Sequence, residues 1–409
     1  MTMEQWKSQR LSCVADVRMG QSPDSRFYNT DGLGLPFLQG SAQFGKAVPS
    51  TTISCSTPIK VAPSGSILFS VRAPVGDINR ADRDYCIGRG LAAIIPFAAD
   101  PSYIEYYLRF LRPAFDRITQ GSTFGAINSA ALGACEIRIP SKMIEQAAIA
   151  LVFASLDRAI DETEALIAKQ HRIKTGLMQD LFTRGIDKSG ILRDPATHEF
   201  RPSPIGPIPR DWKSHTVGSA CHFVSGGTPS RSRPEWWIGS QCFLTAKDMK
   251  SFDLAETTDH LAAEVASRRC RVMPPNTVFI LVRGMTLAHS FPVCVSARPF
   301  AFNQDIKAIC AKGDLRNRFL GYWFLANEKR FLRLATEATH GTKKLDTAAI
   351  QAAFFPVPSP DEQAIIESRL DAINTLAAQQ THLLHKLHRL KAGLMQDLLT
   401  GKVSVDPLL

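Results

Sequence analysis

The sequence predicts an α+β protein in which two β-rich domains alternate with two long helices that form a coiled coil. Three observations lead to this fold class. The two halves of the chain repeat the same short motifs in the same order. Each half begins with short apolar runs separated by turn residues, which is typical of strands. Each half then ends in a heptad pattern that is sustained over more than four heptads.

Length and composition limit the possible classes of protein. A chain of 409 residues is long enough for two to three domains. No apolar run approaches the length of a membrane span, and the N-terminus lacks the apolar core of a signal peptide. The nine cysteines include no C-x-x-C pair, which favours reduced thiols and a cytoplasmic location. A net charge of +10 favours a polyanionic partner, above all nucleic acid.

The internal repeat is visible as identical or similar segments at nearly constant spacing. The hexapeptide GLMQDL occurs at Gly176–Leu181 and again at Gly393–Leu398, an offset of 217. Earlier in each half, WKS begins at Trp6 and Trp212, and EQAAI at Glu145 matches EQAII at Glu362. GQSP of the first half faces GGTP of the second. Repeats of this length are duplicated domains, which gives the molecule an internal pseudo-two-fold character.

The first β-rich domain is expected at residues 1–140 and the second at residues 212–358. The first contains the runs LPFLQG, GSILFSVRAPVG and GLAAIIPF, and the second contains QCFLTAKD, NTVFILVRG and FPVCVSARPF. Between the two repeats, residues 185–211 are rich in proline and glycine and predict a connector rather than a helix. Residues 403–409 form a C-terminal tail.

The long helices are expected at residues 141–184 and 359–402. Ser359 is a suitable N-cap, with Pro360 at the first helical position and Glu362 three residues on, which predicts a capping box. Roughly 40 helical residues make a rod of about 60 Å. The predicted seam contains Leu156, Ile160, Ile167, Leu177 and Leu181 in the first helix and Ile373, Leu384, Leu387, Leu394 and Leu398 in the second, with Met178 and Met395 beside it. Two independent amphipathic helices, each packed on its own domain, are the alternative.

Three motifs are similar to known nucleotide-binding, methyltransferase or metal-binding patterns, but each departs from its pattern. GSAQFGKA is close to a phosphate-binding loop, but Ala47 replaces the hydroxyl that should reach Mg²⁺ and Pro49 interrupts the helix that should follow. MPPN differs from the adenine-binding motif of amino-methyltransferases at two positions. His382, His385 and His388 lie off the seam, where a solvated face is expected rather than a metal site. The sequence therefore predicts no catalytic residues, no metal site and no cofactor in this chain.

The order of these motifs resembles that of the specificity subunits of type I restriction–modification systems. The resemblance covers nearly the whole chain and is carried by WKS with GQSP or GGTP, GST or GTK before IP or VP, EQ, GLMQDLFTRGI and GLMQDLLTGKVSV, and the connector IGPIPRDW. It implies that each β-rich domain is a target-recognition domain for one half of a split, asymmetric DNA site. It further implies that the two helices pack antiparallel and set the spacing between the half-sites.

The same resemblance implies the partners. Two methylation subunits, which carry S-adenosylmethionine and modify adenine N6, are expected to dock near the helices. Restriction subunits that use ATP and Mg²⁺ are expected to join that core, in the cytoplasm of a bacterium or archaeon. This chain would then be a non-catalytic DNA-recognition subunit. The leucines of GLMQDL fall on the seam, while Met178 and Met395 are candidates for contact with a partner subunit.

Candidate DNA-binding residues lie in the polar loops of both β-rich domains. Arg, Lys, Gln and Asn commonly reach base edges, and Ser, Thr and Lys commonly bind phosphate. The candidates are Gln39, Lys46, Arg72, Ser122 and Thr123 in the first domain and Thr245, Lys247, Arg283, Gln304, Thr342 and Lys343 in the second. For each of them, ordinary packing at a loop or strand end is the competing interpretation.

Two other functions are compatible with parts of the pattern. A duplicated coiled-coil scaffold that binds only protein partners would share the helices, with its positive charge incidental. A self-sufficient methyltransferase would need cofactor motifs that the sequence lacks.

Overall fold

The computed structural model describes residues 6–120, 126–338 and 341–405 and divides the chain into two compact units. Unit 1 contains the described residues up to Ala165 together with those from His382 onward, and unit 2 is Leu166–Thr381. The boundaries fall inside both long helices, so that each unit combines one β-rich region with one part of each helix. The predicted α+β class with two β-rich regions and two long helices is confirmed.

The β-rich region of unit 1 combines short strands with a few helices. The strands are β1 (Trp6–Arg10), β2 (Ala15–Met19), β3 (Tyr28–Asn29), β4 (Leu35–Leu38), β5 (Ser54–Cys55), β6 (Val61–Ala62), β7 (Ile67–Ser70), β8 (Ile78–Arg80), β9 (Tyr85–Ile87), β10 (Leu91–Pro96) and β11 (Glu136–Pro140). The helices of this region are α1 (Pro101–Phe110), α2 (Arg112–Gln120) and α3 (Ser129–Gly133), followed by the first long helix, α4 (Met143–Thr183).

Unit 2 has the same plan with several additions. Its strands are β12 (Phe200–Arg201), β13 (Ile208–Pro209), β14 (Lys213–Thr216), β15 (Cys221–Ser225), β16 (Gln241–Leu244), β17 (Asp253–Leu254), β18 (Asp259–Leu261), β19 (Val272–Met273), β20 (Val278–Leu281), β21 (Arg283–Gly284), β22 (Val293–Ser296), β23 (Phe300–Phe302), β24 (Ile306–Ala311), β25 (Thr336–Glu337), β26 (Lys343–Lys344) and β27 (Phe354–Val357). Its helices are α5 (Val217–Ala220), α6 (Ala263–Arg269), α7 (Asn317–Ala326), α8 (Glu328–Leu334) and α9 (Thr347–Ala352), and the second long helix is α10 (Pro360–Leu399).

The duplication is visible in the order of the strands within the sheets of the two units. Unit 1 contains the strand orders β1-β11, β2-β10-β7-β8 and β3-β5-β4-β9-β6. Unit 2 contains the matching orders β14-β27, β15-β24-β20-β22-β17 and β18-β16-β23-β19. Unit 2 adds the sheet β21-β26-β25 and the connector pair β12-β13. The repeated sequence motifs therefore occupy equivalent places in two copies of one fold.

Each β-rich region also contains a buried amphipathic helix that the strand pattern did not predict. In unit 1, α1 brings Tyr103, Ile104 and Leu108 into the core, where all three are fully buried. In unit 2, α7 is the counterpart, with Phe319 and Leu320 fully buried. In unit 1, α1 packs against the sheet that contains β10, and in unit 2, α7 packs against β20, β22 and β24 of the equivalent sheet, so that each helix covers one sheet face.

The long helices begin and end with recognisable capping residues. Ser359 accepts a hydrogen bond from the Glu362 backbone nitrogen at 3.3 Å, and Pro360 is the first helical residue. The first helix ends before Gly185 (φ +64°) and the second before Gly401 (φ +69°), left-handed positions that suit glycine. Both glycines pack against equivalent tryptophans, Trp212 and Trp6.

The Glu362 carboxylate does not complete the predicted capping box. It is buried and accepts hydrogen bonds from the Ile186 backbone nitrogen (2.8 Å), the Trp212 indole (3.0 Å) and both terminal nitrogens of Arg193 (2.6 and 3.0 Å). The carboxylate is recruited by the connector because a buried arginine offers two parallel charge-assisted bonds. Glu362 therefore fixes the connector to the start of α10.

In each unit the early part of one long helix packs beside the late part of the other. In unit 1, Phe153 of α4 shares a core with Leu398 of α10, and Asp157 forms an ion pair with Lys391. In unit 2, Leu181 of α4 shares a core with Ile366 of α10. Positions rise along one helix as they fall along the other, which is an antiparallel arrangement. No described helix is long and apolar enough to cross a membrane.

Candidate nucleic-acid interface

The repeated G-x-[ST]-P motif forms a turn that lies tightly against a neighbouring strand in both units. A Cβ atom on Gly20 would lie 2.2 Å from the carbonyl oxygen of Gly88, just after β9. A Cβ atom on Gly226 would lie 2.2 Å from the carbonyl oxygen of Phe302, at the end of β23. Glycine is thus required by close backbone approach, and the turn is held at the same end of each β-rich region.

In unit 1 this turn gathers candidate residues from distant parts of the sequence. The Ser22 hydroxyl accepts hydrogen bonds from the Gln39 amide nitrogen and from the Arg89 backbone nitrogen, both at 3.3 Å. Arg72 follows β7 and forms an isolated bridge with Ala126. The Val71 backbone nitrogen donates to Gly90, next to Arg89, at 3.0 Å. Gln39 and Arg72 therefore lie on one surface, and both side chains are exposed.

Unit 2 repeats this convergence with different side chains. The Thr228 hydroxyl, at the position of Ser22, donates to the Gln304 side-chain oxygen at 2.7 Å. The Arg283 backbone nitrogen donates to the Asp305 carbonyl oxygen at 3.3 Å, which places Arg283 beside Gln304. Arg283 pairs in strand register with Lys344 of β26. The side chains of Gln304 and Arg283 are exposed at this end of the unit.

Thr245 has a structural partner that the sequence did not reveal. The buried Asp248 carboxylate accepts from the backbone nitrogen and hydroxyl of Thr245 (3.0 and 2.8 Å) and from those of Thr258 (2.9 and 2.6 Å). Burial by itself raises the pKa of Asp248. The four hydrogen-bond donors lower this pKa by a larger amount, so the pKa of Asp248 lies below its ordinary value. Asp248 therefore stays ionised and fixes two loops of the candidate surface.

Lys247 and an arginine that was not predicted share one acidic partner. The Asp259 carboxylate binds Lys247 at 3.1 Å and Arg231 at 2.7 Å. The Arg231 guanidinium also stacks on the Trp237 ring, 3.6 Å from its centroid. This link joins Lys247 to the loop that follows the G-x-[ST]-P turn.

Lys46 takes a different position from the other basic candidates. Its ammonium group binds Asp161 at 2.7 Å and Glu164 at 3.1 Å, both on the exposed face of α4. These carboxylates raise the pKa of Lys46 above its ordinary value. Because the pair is exposed, its stabilising effect is small and the lysine can exchange partners.

The remaining candidates lie at the β25–β26 pair or outside the described residues. Lys343 binds Glu337 at 2.9 Å across the β25–β26 pair. The Thr342 carbonyl oxygen accepts from the Ala338 backbone nitrogen at 2.7 Å, in the same turn. Ser122 and Thr123 fall in a segment outside the described residues. The structure thus brings together Gln39 and Arg72 in unit 1, and Thr245, Lys247, Arg283 and Gln304 in unit 2.

Sequence reasoning missed Ser22, Thr228, Arg89 and Arg231. The signal for the first two was present, because the repeated G-x-[ST]-P motif carries a hydroxyl at the same position in both copies. Arg89 and Arg231 had no such signal, since their neighbours come from strands far away in sequence.

The predicted seam residues are buried or half-buried. Ile160, Met178, Leu181 and Leu398 are buried, and Leu156, Ile167, Leu177, Ile373, Leu384, Leu387, Leu394 and Met395 are half-buried. Met178 is only 6% exposed and packs into the core of unit 2, whereas Met395 is half-buried in unit 1.

Each unit also has an exposed apolar patch on its long helices. In unit 2 the patch contains Leu166 and Ile173, which are 48% and 51% exposed. In unit 1 the equivalent residues, Leu383 and Leu390, are 48% and 50% exposed. A helical glycine follows three residues after the second member of each pair, and a Cβ there would meet nothing within 4 Å. We call these two surfaces the helix patches.

Comparison with known proteins gives consistent matches. The model of the family described as Type I restriction modification DNA specificity domain matches residues 3–170 and 209–389. The putative type I restriction enzyme MjaX specificity subunit of Methanocaldococcus jannaschii is 39% identical over 169 residues, which are 41% of this chain and 40% of that relative. The EcoR124I/EcoR124II specificity subunit of Escherichia coli is 27% identical over 168 residues, or 41% of each chain. The chain therefore aligns with about two fifths of the length of each of these relatives.

Solved structures match over nearly the full length. The type I restriction–modification S subunit from M. genitalium superposes with a TM-score of 0.60 at 15% identity and covers 96% of both chains. A second solved structure, which concerns complex assembly and conformational transition of the type I R-M system, superposes with a TM-score of 0.60 at 16% identity. The match covers 97% of both chains. At such low identity these likenesses speak for the fold alone.

Proposed function

Because the chain belongs to the type I restriction–modification DNA specificity family, we propose that it is the DNA-recognition subunit of a type I restriction–modification enzyme. Each β-rich region acts as one reader, and the two readers together recognise a bipartite, asymmetric DNA site. The chain itself catalyses nothing, and S-adenosylmethionine and ATP are carried by its partner subunits. Its nine unpaired cysteines fit work in a reducing cytoplasm.

The observation that carries this proposal is the convergence of polar and basic side chains at the same end of both β-rich regions. Gln39, Arg72 and Arg89 come from three separate segments of unit 1 and share one surface. Arg283 and Gln304 do the same in unit 2. Arginine and glutamine have the fork geometry that reads base edges, and a net charge of +10 favours approach to a phosphate backbone.

Differences between the two surfaces support an asymmetric site. Ser22 and Thr228 are chemically alike, and both long-range turns are built in the same way. By contrast, Arg89 of unit 1 is matched by Gln304 of unit 2, and the two favour different bases. We assign the shared hydroxyls to positioning and the differing side chains to sequence reading.

The helix patches support a proposal for the protein partners of this chain. Two equivalent apolar surfaces on one chain suit two copies of one partner. We propose that each helix patch binds one methylation subunit, which brings S-adenosylmethionine and modifies adenine N6. Restriction subunits, which bring ATP and Mg²⁺, then join this core.

The test is the adenine methylome of the host, read with and without this gene. Loss of one split, adenine-methylated motif on deletion, and its return on complementation, is the expected result. An unchanged methylome in a host whose methylation subunits remain expressed would contradict the proposal. It would favour the alternative, a duplicated coiled-coil scaffold that binds only proteins. A salt titration separates the two as well, because a DNA reader loses affinity linearly in log–log salt.

A further inference from the structure

Three side chains with metal-binding atoms meet in unit 2, next to the candidate interface. Cys242 of β16 and His260 of β18 are direct cross-strand neighbours, and Glu256 lies in the turn before β18. The Glu256 Oε1 atom is 3.0 Å from Cys242 Sγ and 2.7 Å from His260 Nε2, and Sγ and Nε2 are 3.9 Å apart. Among the described residues, this is the group of three that could hold a metal ion.

The donor set suits zinc. A thiolate, an imidazole and a carboxylate with an open fourth position form the three-ligand, tetrahedral arrangement that Zn²⁺ accepts. Bonds of about 2.0–2.3 Å in a tetrahedron place neighbouring donor atoms about 3.3–3.7 Å apart. The three separations in the structure lie on both sides of that value, so small side-chain rotations are enough to admit the ion.

The surroundings hold the donors in place. Two of the three ligands stand on paired strands, and the Cys242 side chain is fully buried. The second oxygen of Glu256 binds the Arg298 guanidinium at 3.0 Å, which is the kind of outer contact that orients a metal-binding carboxylate. Without a metal, the Cys242 thiol donates to Glu256 Oε1 at 3.0 Å.

We propose that unit 2 binds one Zn²⁺ ion through Cys242 Sγ, Glu256 Oε1 and His260 Nε2, with water in the fourth position. Binding displaces the thiol proton of Cys242 to solvent, so zinc affinity falls as the pH is lowered. In the described part of unit 1 the equivalent positions hold no such donors, because the residues paired at the corresponding register of β4 and β5 are Pro36 and Ser54. The expected stoichiometry is one ion per chain.

The proposed ion would stabilise part of the candidate interface. Glu256 and His260 bracket the turn that contains Thr258 and Asp259. Thr258 binds Asp248, and Asp259 binds Lys247 and Arg231. A bound ion would thus restrain the turn that holds these basic side chains in place.

The test is direct metal binding by the full-length chain after chelation and under reducing conditions. With one equivalent of Co²⁺ as the probe, we expect tetrahedral visible bands and a thiolate-to-cobalt charge-transfer band, both lost when one equivalent of Zn²⁺ is added. Cys242→Ser should abolish the charge-transfer band. Cys13→Ser, which removes an exposed thiol of unit 1, should leave the spectrum unchanged and serves as the matched control.

His260→Gln provides a second variant in case Cys242→Ser fails to fold by circular dichroism, and it should reduce zinc affinity at least tenfold. A wild-type chain that binds no Co²⁺ or Zn²⁺ at micromolar metal overturns the proposal. So does a chain that binds equally well after Cys242→Ser or His260→Gln, since the ligands would then lie elsewhere. None of these measurements uses DNA, so a negative result leaves the proposed function standing.

Discussion

At the scale of single residues, repeated glycines have two different causes. Gly20 and Gly226 are required inside the chain, because a side chain would collide with a backbone carbonyl oxygen. Gly176 and Gly393 lie in the long helices, where a Cβ would meet nothing within 4 Å. A close contact between the two long helices therefore does not explain the second pair. A repeated motif in one sequence can thus report either internal packing or an external surface.

This contrast gives a matched pair of variants. Gly226→Ala should lower the free energy of unfolding of unit 2 by about 1–3 kcal/mol, because the backbone must shift to relieve the clash. Gly393→Ala should raise stability by up to about 1 kcal/mol, because alanine favours an exposed helix interior. Thermal and urea unfolding of both variants measures these changes. Equal effects of the two substitutions would contradict the assigned causes.

Residue roles were predictable from the sequence only where the determinant is local. The hydroxyl cap of α10 by Ser359 follows from four consecutive residues and is present. The burial of Glu362 on Arg193 and Trp212 depends on residues about 150 to 170 positions away, which no local pattern encodes.

At the scale of elements, polar side chains interrupt the apolar contact between the two long helices. They differ in whether a partner satisfies them. In unit 1, Lys391 of α10 is paired with Asp157 of α4. In unit 2, burial lowers the pKa of the equivalent Lys174. The side-chain oxygens of Gln170 and Gln380 are buried without a hydrogen-bond partner among the described residues. The seam of unit 2 therefore sacrifices stability at positions where a register can be specified.

Gln380→Leu should strengthen this part of the seam. Removing a buried, unpaired oxygen and adding apolar contact should raise the free energy of unfolding by about 1–2 kcal/mol. The unfolding midpoint should rise by roughly 2–8 °C for a unit of this size. Gln379→Leu is the control, because residue 379 is exposed on the same helix. A fall in stability would show that the Gln380 oxygen is satisfied after all.

The heptad pattern in the sequence coincides with the two long helices of the structure. All the predicted seam positions are buried or half-buried, and α4 spans Met143–Thr183 where residues 141–184 were expected. The buried helices α1 and α7 were missed, because a ten-residue helix between strands gives too short a periodic signal. The candidate metal cluster was missed for another reason: its three donors become neighbours only through strand pairing.

At the scale of the whole molecule, duplication supplies two β-rich regions that differ in sequence and two helix patches that match. The first property suits a DNA site with unlike halves, and the second suits two identical partners. Ile173 and Leu390 hold equivalent positions with nearly equal exposure, 51% and 50%. A change at either position should therefore affect one partner only.

Ile173→Glu and Leu390→Glu should each reduce the number of bound methylation subunits from two to one, because an added carboxylate must be desolvated at an apolar interface. The double variant should bind none. Native mass spectrometry of the reconstituted complex counts the subunits. Gln179→Glu, an exposed substitution on the outer face of α4, should retain two. Two subunits on the double variant would place the docking surface elsewhere.

The division of each long helix between two units has a consequence for how the protein is made. The core of unit 1 includes Leu398, Leu399 and Val405 alongside Phe69 and Phe153. A ribosome has completed the first β-rich region long before these residues emerge from its exit tunnel. Until then the apolar face of α4 in unit 1 lacks its partner helix, and this face stays exposed to solvent in the nascent chain. Unit 2 is contiguous from Leu166 to Thr381 and can close first. The core of unit 1 is therefore expected to become complete only after the last turns of α10 are available.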